Sequence, residues 1–312
     1  MEEFDHELLK KIYIPPAGSH KGQNGKLLLI GGSHLFHAAS LWSLSIASRI
    51  VDMVFYASTT ENNDILIRVK EEFRNGIVVP RGKIEDYVNE ADCILIGTGM
   101  VRTEEVMSHE LRIMSEKKNQ QDNLTHNSGL IIHNLEEINK LNNEGEQTYW
   151  LTKYLLEKYP HKKWVIDAGA LQMMEPEWLL QLNGNVVLTP HPKEFEILFG
   201  VKAGSDKASE MANKYNCTIL LKGEEDIVCS PTGKCNRIGG GNSGMTKGGT
   251  GDVLAGLVAS LACKNDLLLS AKVGSFLNKK AGEYLFEKMG YYFNASDLVN
   301  EIPVVMKKYI LD

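Results

Sequence analysis

The chain has 312 residues, with 34 Lys+Arg against 40 Asp+Glu and a formal charge of −6. That length supports a sizeable core, and 43% hydrophobic with 24% charged residues excludes wholesale disorder. The mild acidity argues against nucleic acid as a partner, while a local anion site made of uncharged backbone N–H groups stays open.

In chain order, the start MEEFDHELLKK is charged and lacks the apolar centre of a secretory signal. Short apolar runs then recur, each stopping at Gly, Asp, Lys-Gly or Thr-Pro. They are 26–30 (KLLLI), 93–96 (CILI), 164–166 (WVI), 186–188 (VVL) and 218–221 (TILL). Nearly continuous apolar runs of this length predict strands buried on both faces of a parallel sheet. Between them, 41–54, 104–116 and 149–158 read as helices, so the expected class is α/β, a mostly parallel central sheet with helices on both faces. Residues 115–147 are polar, with one apolar patch at 130–132, and read as a surface excursion. His126 and His133 within it read as surface histidines rather than metal ligands. Residues 226–238 read as a β-hairpin around Pro231-Thr232-Gly233, with Cys229 and Cys235 facing each other. They are expected as half-buried thiols, a metal or redox pair being the alternative. The five Cys (Cys93, Cys217, Cys229, Cys235, Cys263) form no C-x-x-C pair, and the odd count points to free thiols in a reducing cytoplasm. No apolar run reaches the roughly 18–20 residues of a membrane span. The whole chain, 1–312, is expected to be one domain.

The most informative stretch is 239–256, GGGNSGMTKGGTGDVLAG. A flexible loop ends at the start of an apolar helix, with Asp252 near its first turn. Exposed N–H groups and the positive dipole end of such a helix favour a phosphate, and glycines let the backbone approach it. The pattern is neither a Walker A loop nor a dinucleotide fingerprint. On these residues alone, Asp252 is either a helix-capping group or a carboxylate that takes a proton from a hydroxyl attacking the phosphate.

The stretch G-N-S-G-M-T-K-G-G-T-G-D-V-L-A-G closely resembles the signature of the ADP/ATP-dependent NAD(P)H-hydrate dehydratases, of the ribokinase-like superfamily. Five further segments are similar to the family in its own order: 21–33, L-I-G-T-G-M at 95–100, V-I-D-A-G-A-L at 165–171, L-T-P-H-P-K-E-F at 188–195 and L-L-K-G at 220–223. The resemblance implies a ribokinase-like fold with the hairpin beside the nucleotide site. It also implies a repair reaction, in which hydrated (S)-NADH or NADPH is phosphorylated on its ring hydroxyl and phosphate is then expelled. ADP is the expected donor, with ATP as the alternative, giving AMP and phosphate.

By the same resemblance, Asp252 is the expected general base, ionised at pH 7 like an ordinary Asp. Gly248, Gly249 and Gly251 would supply N–H groups to the phosphoryl oxygens, and Asn242 a side-chain amide. Lys222, Gly223, Glu224, Glu225 and Asp226 would line the adenine nucleotide, which Gly251 also touches. Ala39, Gly99 and His191 would contact the hydrated dinucleotide; a purely structural loop His is the other reading of His191. Asn24, Ser33 and Asp167 are secondary candidates, and Lys222 is either a phosphate contact or a solvated cation. Mg²⁺ is expected on the nucleotide's phosphates, with no dedicated metal-ligand cluster in the chain. A homo-oligomer, such as a tetramer, and a chain without an epimerase domain are further expectations.

Several residues depart from the family pattern: Ala38 and Gly169 replace a Gly and an Asp, Thr98 and Ser243 replace prolines, and Lys247 adds a charge to the anion loop. The first three fall in the expected dinucleotide pocket. Two other functions compete. One is a ribokinase-like kinase for a thiazole, hydroxymethylpyrimidine or pyridoxal alcohol, which would use the same Asp252. The other is a non-catalytic nucleotide-binding module, which would need no base.

Overall fold

The structure, a computed structural model, describes residues 1–71, 74–103 and 134–312. The expected helix at 104–116, the apolar patch at 130–132, and His126 and His133 lie outside the described residues.

All strands of the described residues join one sheet: β1 (Glu2–Glu3), β2 (Lys26–Ile30), β3 (Met53–Ala57), β4 (Ile77–Val79), β5 (Cys93–Ile96), β6 (Lys163–Ile166), β7 (Val186–Leu188), β8 (Thr218–Leu221), β9 (Asp226–Cys229) and β10 (Cys235–Ile238). Their order across the sheet is β1-β10-β9-β8-β7-β6-β5-β2-β3-β4. Every neighbouring pair is parallel except the two made by β9, which is antiparallel to both β8 and β10. The expected parallel sheet with a terminal hairpin is therefore present.

Alternation along each strand explains the unbroken apolar runs. Leu27, Leu29, Leu95 and Val165 face a layer that includes the helices Thr250–Ala262, Leu267–Met289 and Ala295–Met306. Leu28, Ile30, Ile94, Ile96 and Ile166 face the opposite layer, with the helices Glu144–Lys158, Ala168–Met173 and Pro192–Phe199. Both faces are covered, so no polar alternation is needed.

Two sequence readings need correction. The helix expected over 41–54 is His37–Ala47, and the chain turns before β3. Val54, Phe55 and Tyr56 are residue types that pack well on a pleated, buried surface, and β3 lies between β2 and β4. The helix expected at 149–158 begins at Glu144, because the Asn143 side chain accepts hydrogen bonds from the Gly145 and Glu146 N–H groups. Residues 135–139 of the polar stretch are also helical.

The hairpin register places Cys229 directly opposite Cys235, with Cα atoms 4.1 Å apart, and the two sulfurs are bonded. The expectation of two free thiols there is overturned by that pairing. Cys93, Cys217 and Cys263 are free and buried. Among the described residues, no helix is long and apolar enough to cross a membrane.

Candidate active site

The C-terminal ends of the parallel strands β2, β5, β6, β7 and β8 open on one side of the sheet, where ligands gather in open α/β folds. The 250–262 helix points its N-terminus at this edge. Gly249 starts it at φ 93°, and a Cβ there would lie 2.3 Å from the Trp42 ring, so only glycine fits. Thr250 Oγ1 donates to the carbonyls of Met245 (2.6 Å) and Lys247 (2.9 Å), closing the loop onto the helix. Within the described residues the N–H groups of Gly248, Gly249 and Gly251 have no acceptor, which leaves them available to an anion.

Asp252 stands in the first turn of this helix and is half-buried. Its backbone carbonyl accepts a 2.7 Å hydrogen bond from Ser43 Oγ, which ties it to the 37–47 helix. Burial first, and then the negative charge of Asp167, push its carboxyl up to about 7; Lys222 offsets only part of this. The expectation of an Asp with an ordinary, low pKa is therefore corrected.

Lys222 is not a solvated cation. Its Nζ lies 2.9 Å from Asp167 Oδ1 and 3.8 Å from Glu194 Oε2. Burial disfavours its charge, but Asp167, Glu194 and Asp252 together hold its pKa above the usual lysine value. Asp167, a secondary candidate in the sequence, is fixed by Thr189 Oγ1 at 2.8 Å. His191 caps the 192–199 helix. Its Nδ1 accepts from the Lys193 and Glu194 N–H groups, and the Glu194 carboxylate accepts from the His191 N–H. The structural reading of His191 is therefore present as this cap, and its half-exposed ring carries Nε2 3.5 Å from Glu194 Oε1.

A cavity of about 790 Å³ lies beside the helix N-terminus. It is lined by Lys222, Gly223, Glu224, Glu225, Asp226, Asn242 and Gly251, as the sequence reading expects, and also by Asn278, Lys279 and Tyr291. Three of the expected roles change. The Asp226 carboxylate is used inside the protein, accepting from the Gly223 N–H (3.0 Å) and Ser275 Oγ (2.7 Å). The Asn242 amide is likewise committed: it accepts from the Gly244 N–H (2.9 Å) and donates to the Gly282 carbonyl (2.8 Å), so it shapes the loop. Gly248 and Gly249 do not line the cavity itself; they precede the helix N-terminus with N–H groups that have no acceptor among the described residues. Lys247 is exposed and does not line the cavity; its Nζ donates to the carbonyls of Tyr291 and Phe293.

On the other side of the cleft, three turns pack backbone against backbone. A Cβ on Gly97 would meet the Asp167 carbonyl oxygen at 1.8 Å, and one on Gly169 would meet the Met100 carbonyl oxygen at 2.2 Å. Gly99 lies against Ala39 and the Phe36 carbonyl. Ala168, between Asp167 and Gly169, has φ 45°, unusual for a residue with a side chain. Ser33 is buried and accepts from the Phe36 N–H, so it shapes this wall from within. Asn24 lies at the opposite end of β2, bound to Tyr13, Ser19 and Asp52, and is no part of the site.

Sequence reasoning missed Asn278 and Lys279 of the 267–289 helix. Lys279 is 5% exposed and donates to the carbonyls of Gly223 (3.0 Å) and Glu224 (2.7 Å), with Asp226 Oδ1 at 3.3 Å. The only signal was a polar pair, Asn-Lys, interrupting an otherwise apolar helix face.

Comparison with known proteins bears on the family and the fold. Residues 101–304 fit the profile of the NAD(P)H-hydrate dehydratase family. The ADP-dependent (S)-NAD(P)H-hydrate dehydratase of Nitrosopumilus maritimus is 32% identical over 314 residues, covering 96% of both chains. The bifunctional NAD(P)H-hydrate repair enzyme of Methanocaldococcus jannaschii is 33% identical over 300 residues; the match covers 96% of this chain and 51% of that protein, so the chain spans about half its length. In fold, the chain superposes on a ribokinase-like superfamily protein from Enterococcus faecalis with a TM-score of 0.75 at 21% identity, covering 100% and 97% of the two chains. It also superposes on the ADP/ATP-dependent NAD(P)H-hydrate dehydratase of Bacillus subtilis, co-crystallised with ATP and Mg²⁺, with a TM-score of 0.71 at 21% identity, covering 99% and 98%. With a glycine-rich helix start, a carboxylate in its first turn and the T-P-H-P-K-E cap all at one strand edge, the chain belongs to the NAD(P)H-hydrate dehydratase family.

Proposed function

We propose that this chain dehydrates hydrated (S)-NAD(P)H back to NAD(P)H, using ADP as phosphoryl donor and giving AMP and phosphate. The observation that carries the reading is the position of Asp252. It stands where free N–H groups, Lys222 and the backbone turns of the opposite wall converge.

Asp252 takes the proton of the ring hydroxyl as that oxygen attacks the terminal phosphorus of ADP. The N–H groups of Gly248, Gly249 and Gly251 receive the phosphoryl oxygens, and Lys222 offsets charge at the same end. The ring nitrogen lone pair then expels phosphate, a proton leaves the neighbouring carbon, and the ring double bond is restored. Ala39, Gly99 and the Nε2–H of His191 form the wall against which the hydrated ring would rest. Mg²⁺ would be held mainly by the nucleotide's phosphates and water, since no group of three or more His, Cys, Asp or Glu that could hold a metal lies among the described residues. That ion would neutralise phosphate charge. A homo-oligomer and a cytoplasmic setting complete the proposal by family resemblance.

The small-molecule kinase reading is weaker, because the relative matched along nearly its whole length is named as a dehydratase. The test is incubation with hydrated NADH and either ADP or ATP, followed at the absorbance band of the reduced nicotinamide. Recovery of that band with ADP is expected. No recovery with either donor would remove the proposal.

A further inference from the structure

A second cavity, of about 260 Å³, lies away from the active-site edge, where the N-terminal end of β2 meets the C-terminal ends of the 37–47, 250–262 and 295–306 helices. Its lining is mainly apolar. Ile12 and Leu261 are buried, Ile50 and Met306 are partly buried, and Ile14 and Leu311 are 50% and 62% exposed. Two large aliphatic side chains left bare on one cavity mark an apolar surface without a partner. The neutral polar groups of the lining are spent inside the protein. Tyr13 Oη donates to Asn24 Oδ1, and the Asn24 amide donates to Ser19 and Asp52. Asn265 accepts from the Tyr13 N–H and donates to the Leu261 carbonyl, and Ser260 Oγ donates to the Gly256 carbonyl.

The charged groups of the lining are Arg49, Lys264 and Lys307, all exposed cations in a chain of net charge −6. Asp52, held by Asn24, is not among the lining residues. Arg49 gives one N–H to Asn300 Oδ1 and keeps the rest of its guanidinium; the Lys264 ammonium lies 5.3 Å from the centre of the Tyr13 ring; the Lys307 ammonium has no partner among the described residues. A ligand therefore meets apolar surface and positive charge, and little else. A sugar or a base would need neutral donors and acceptors, which are already paired. A plain hydrocarbon would leave the cations unused. An apolar body with one anionic head uses both. We propose that this cavity is a second ligand site that takes an aliphatic carboxylic acid, its hydrocarbon against Leu261 and Met306 and its carboxylate among Arg49, Lys264 and Lys307. The site is independent of the function proposed above and lies at the opposite end of the helix that carries Asp252.

The experiment is calorimetric titration of the full chain with octanoate, with octylamine and acetate as controls for the head and the tail. Octanoate is expected to bind one to one, about tenfold or more tightly than octylamine, and acetate to give no heat of binding. Lys264→Gln combined with Lys307→Gln should weaken octanoate about tenfold, leave octylamine no weaker and keep the melting temperature. Leu311→Glu, an exposed change that adds a carboxylate to the lining, should act in the same direction. No binding of octanoate at millimolar concentration would overturn the inference, as would equal affinities for octanoate and octylamine. So would an unchanged octanoate affinity in the double variant. A homo-oligomer in sedimentation that Leu311→Glu dissociates would also overturn it, because a second copy of the chain would then cover the cavity.

Discussion

On the nucleotide side of the cleft, long side chains do the shaping: Lys279 ties down the 223–224 turn, Lys247 clips the glycine loop to 291–293, and Asn242 spans from that loop to the 267–289 helix. On the dinucleotide side, backbones touch with no side chain between them, at Gly97 against Asp167 and Gly169 against Met100. The contrast explains where the chain departs from its family. Gly169, in place of the family's Asp, belongs to a wall where a side chain has been exchanged for a close backbone approach. Lys247 belongs to a loop that is braced from outside. The glycine-loop wall should therefore tolerate an added atom at open positions such as Gly251, though not at Gly249, whereas the other wall should fail as a unit.

The largest expected effect lies at the seam between the walls. Asp252→Asn should lower kcat by about 10³-fold while calorimetry shows ADP still bound, as for loss of a general base. Retained turnover would remove the base from the mechanism and the seam from the comparison. Next, the same glycine-to-alanine change should behave differently on the two sides. Gly97→Ala should cost ~3 kcal/mol or more and leave little folded protein, since φ is 118° and a carbonyl blocks the Cβ. Gly251→Ala, whose Cβ would sit 3.4 Å from Lys222 Nζ, should cost ~1 kcal/mol or less in denaturant unfolding and mainly raise KM for ADP. Similar losses at both positions would break the contrast.

The seam is also sensitive to protons. Because the Asp252 carboxyl is pushed up to about 7, kcat/KM should fall about tenfold per pH unit below that point. A flat profile down to pH 5 would contradict it. Lys247→Ala should raise KM for ADP by roughly 3–10-fold, the effect of losing about 0.6–1.4 kcal/mol of bracing. An unchanged KM would mean that the brace is idle. The smallest effect is on melting. A carboxyl with a raised folded pKa favours the native state fully below its unfolded value of 3.8, and this contribution disappears as pH rises through about 7. Asp252→Asn should therefore melt about 2 °C higher than wild type at pH 8, with the gap closing toward acid.

The sequence disclosed whatever depended on residue type at a fixed spacing. The glycine loop, the aspartate in the first turn, the 188–195 segment and the five central strands were legible because each constrains its own neighbourhood. What depended on distant partners was hidden. β3 was absorbed into a helix because its run follows an Ala- and Leu-rich stretch, and only pairing with β2 makes it a strand. The raised pKa of Asp252 arises from burial first and then from Asp167, on another strand end. Asn278 and Lys279 come from a helix with no motif, and reach the cavity only once that helix packs beside the hairpin. The hairpin reading placed Cys229 and Cys235 face to face, but residue type alone did not say whether the two thiols would be bonded.

Ala168 holds a left-handed backbone at the joint between Asp167 and Gly169, at a cost of about 1–2 kcal/mol for a residue with a Cβ. A screen that rewards heat resistance alone would be drawn to glycine at this position, which relieves the strain. The same change would loosen the link that holds the Asp167 carboxylate on Lys222, so the hardier protein should be the slower catalyst.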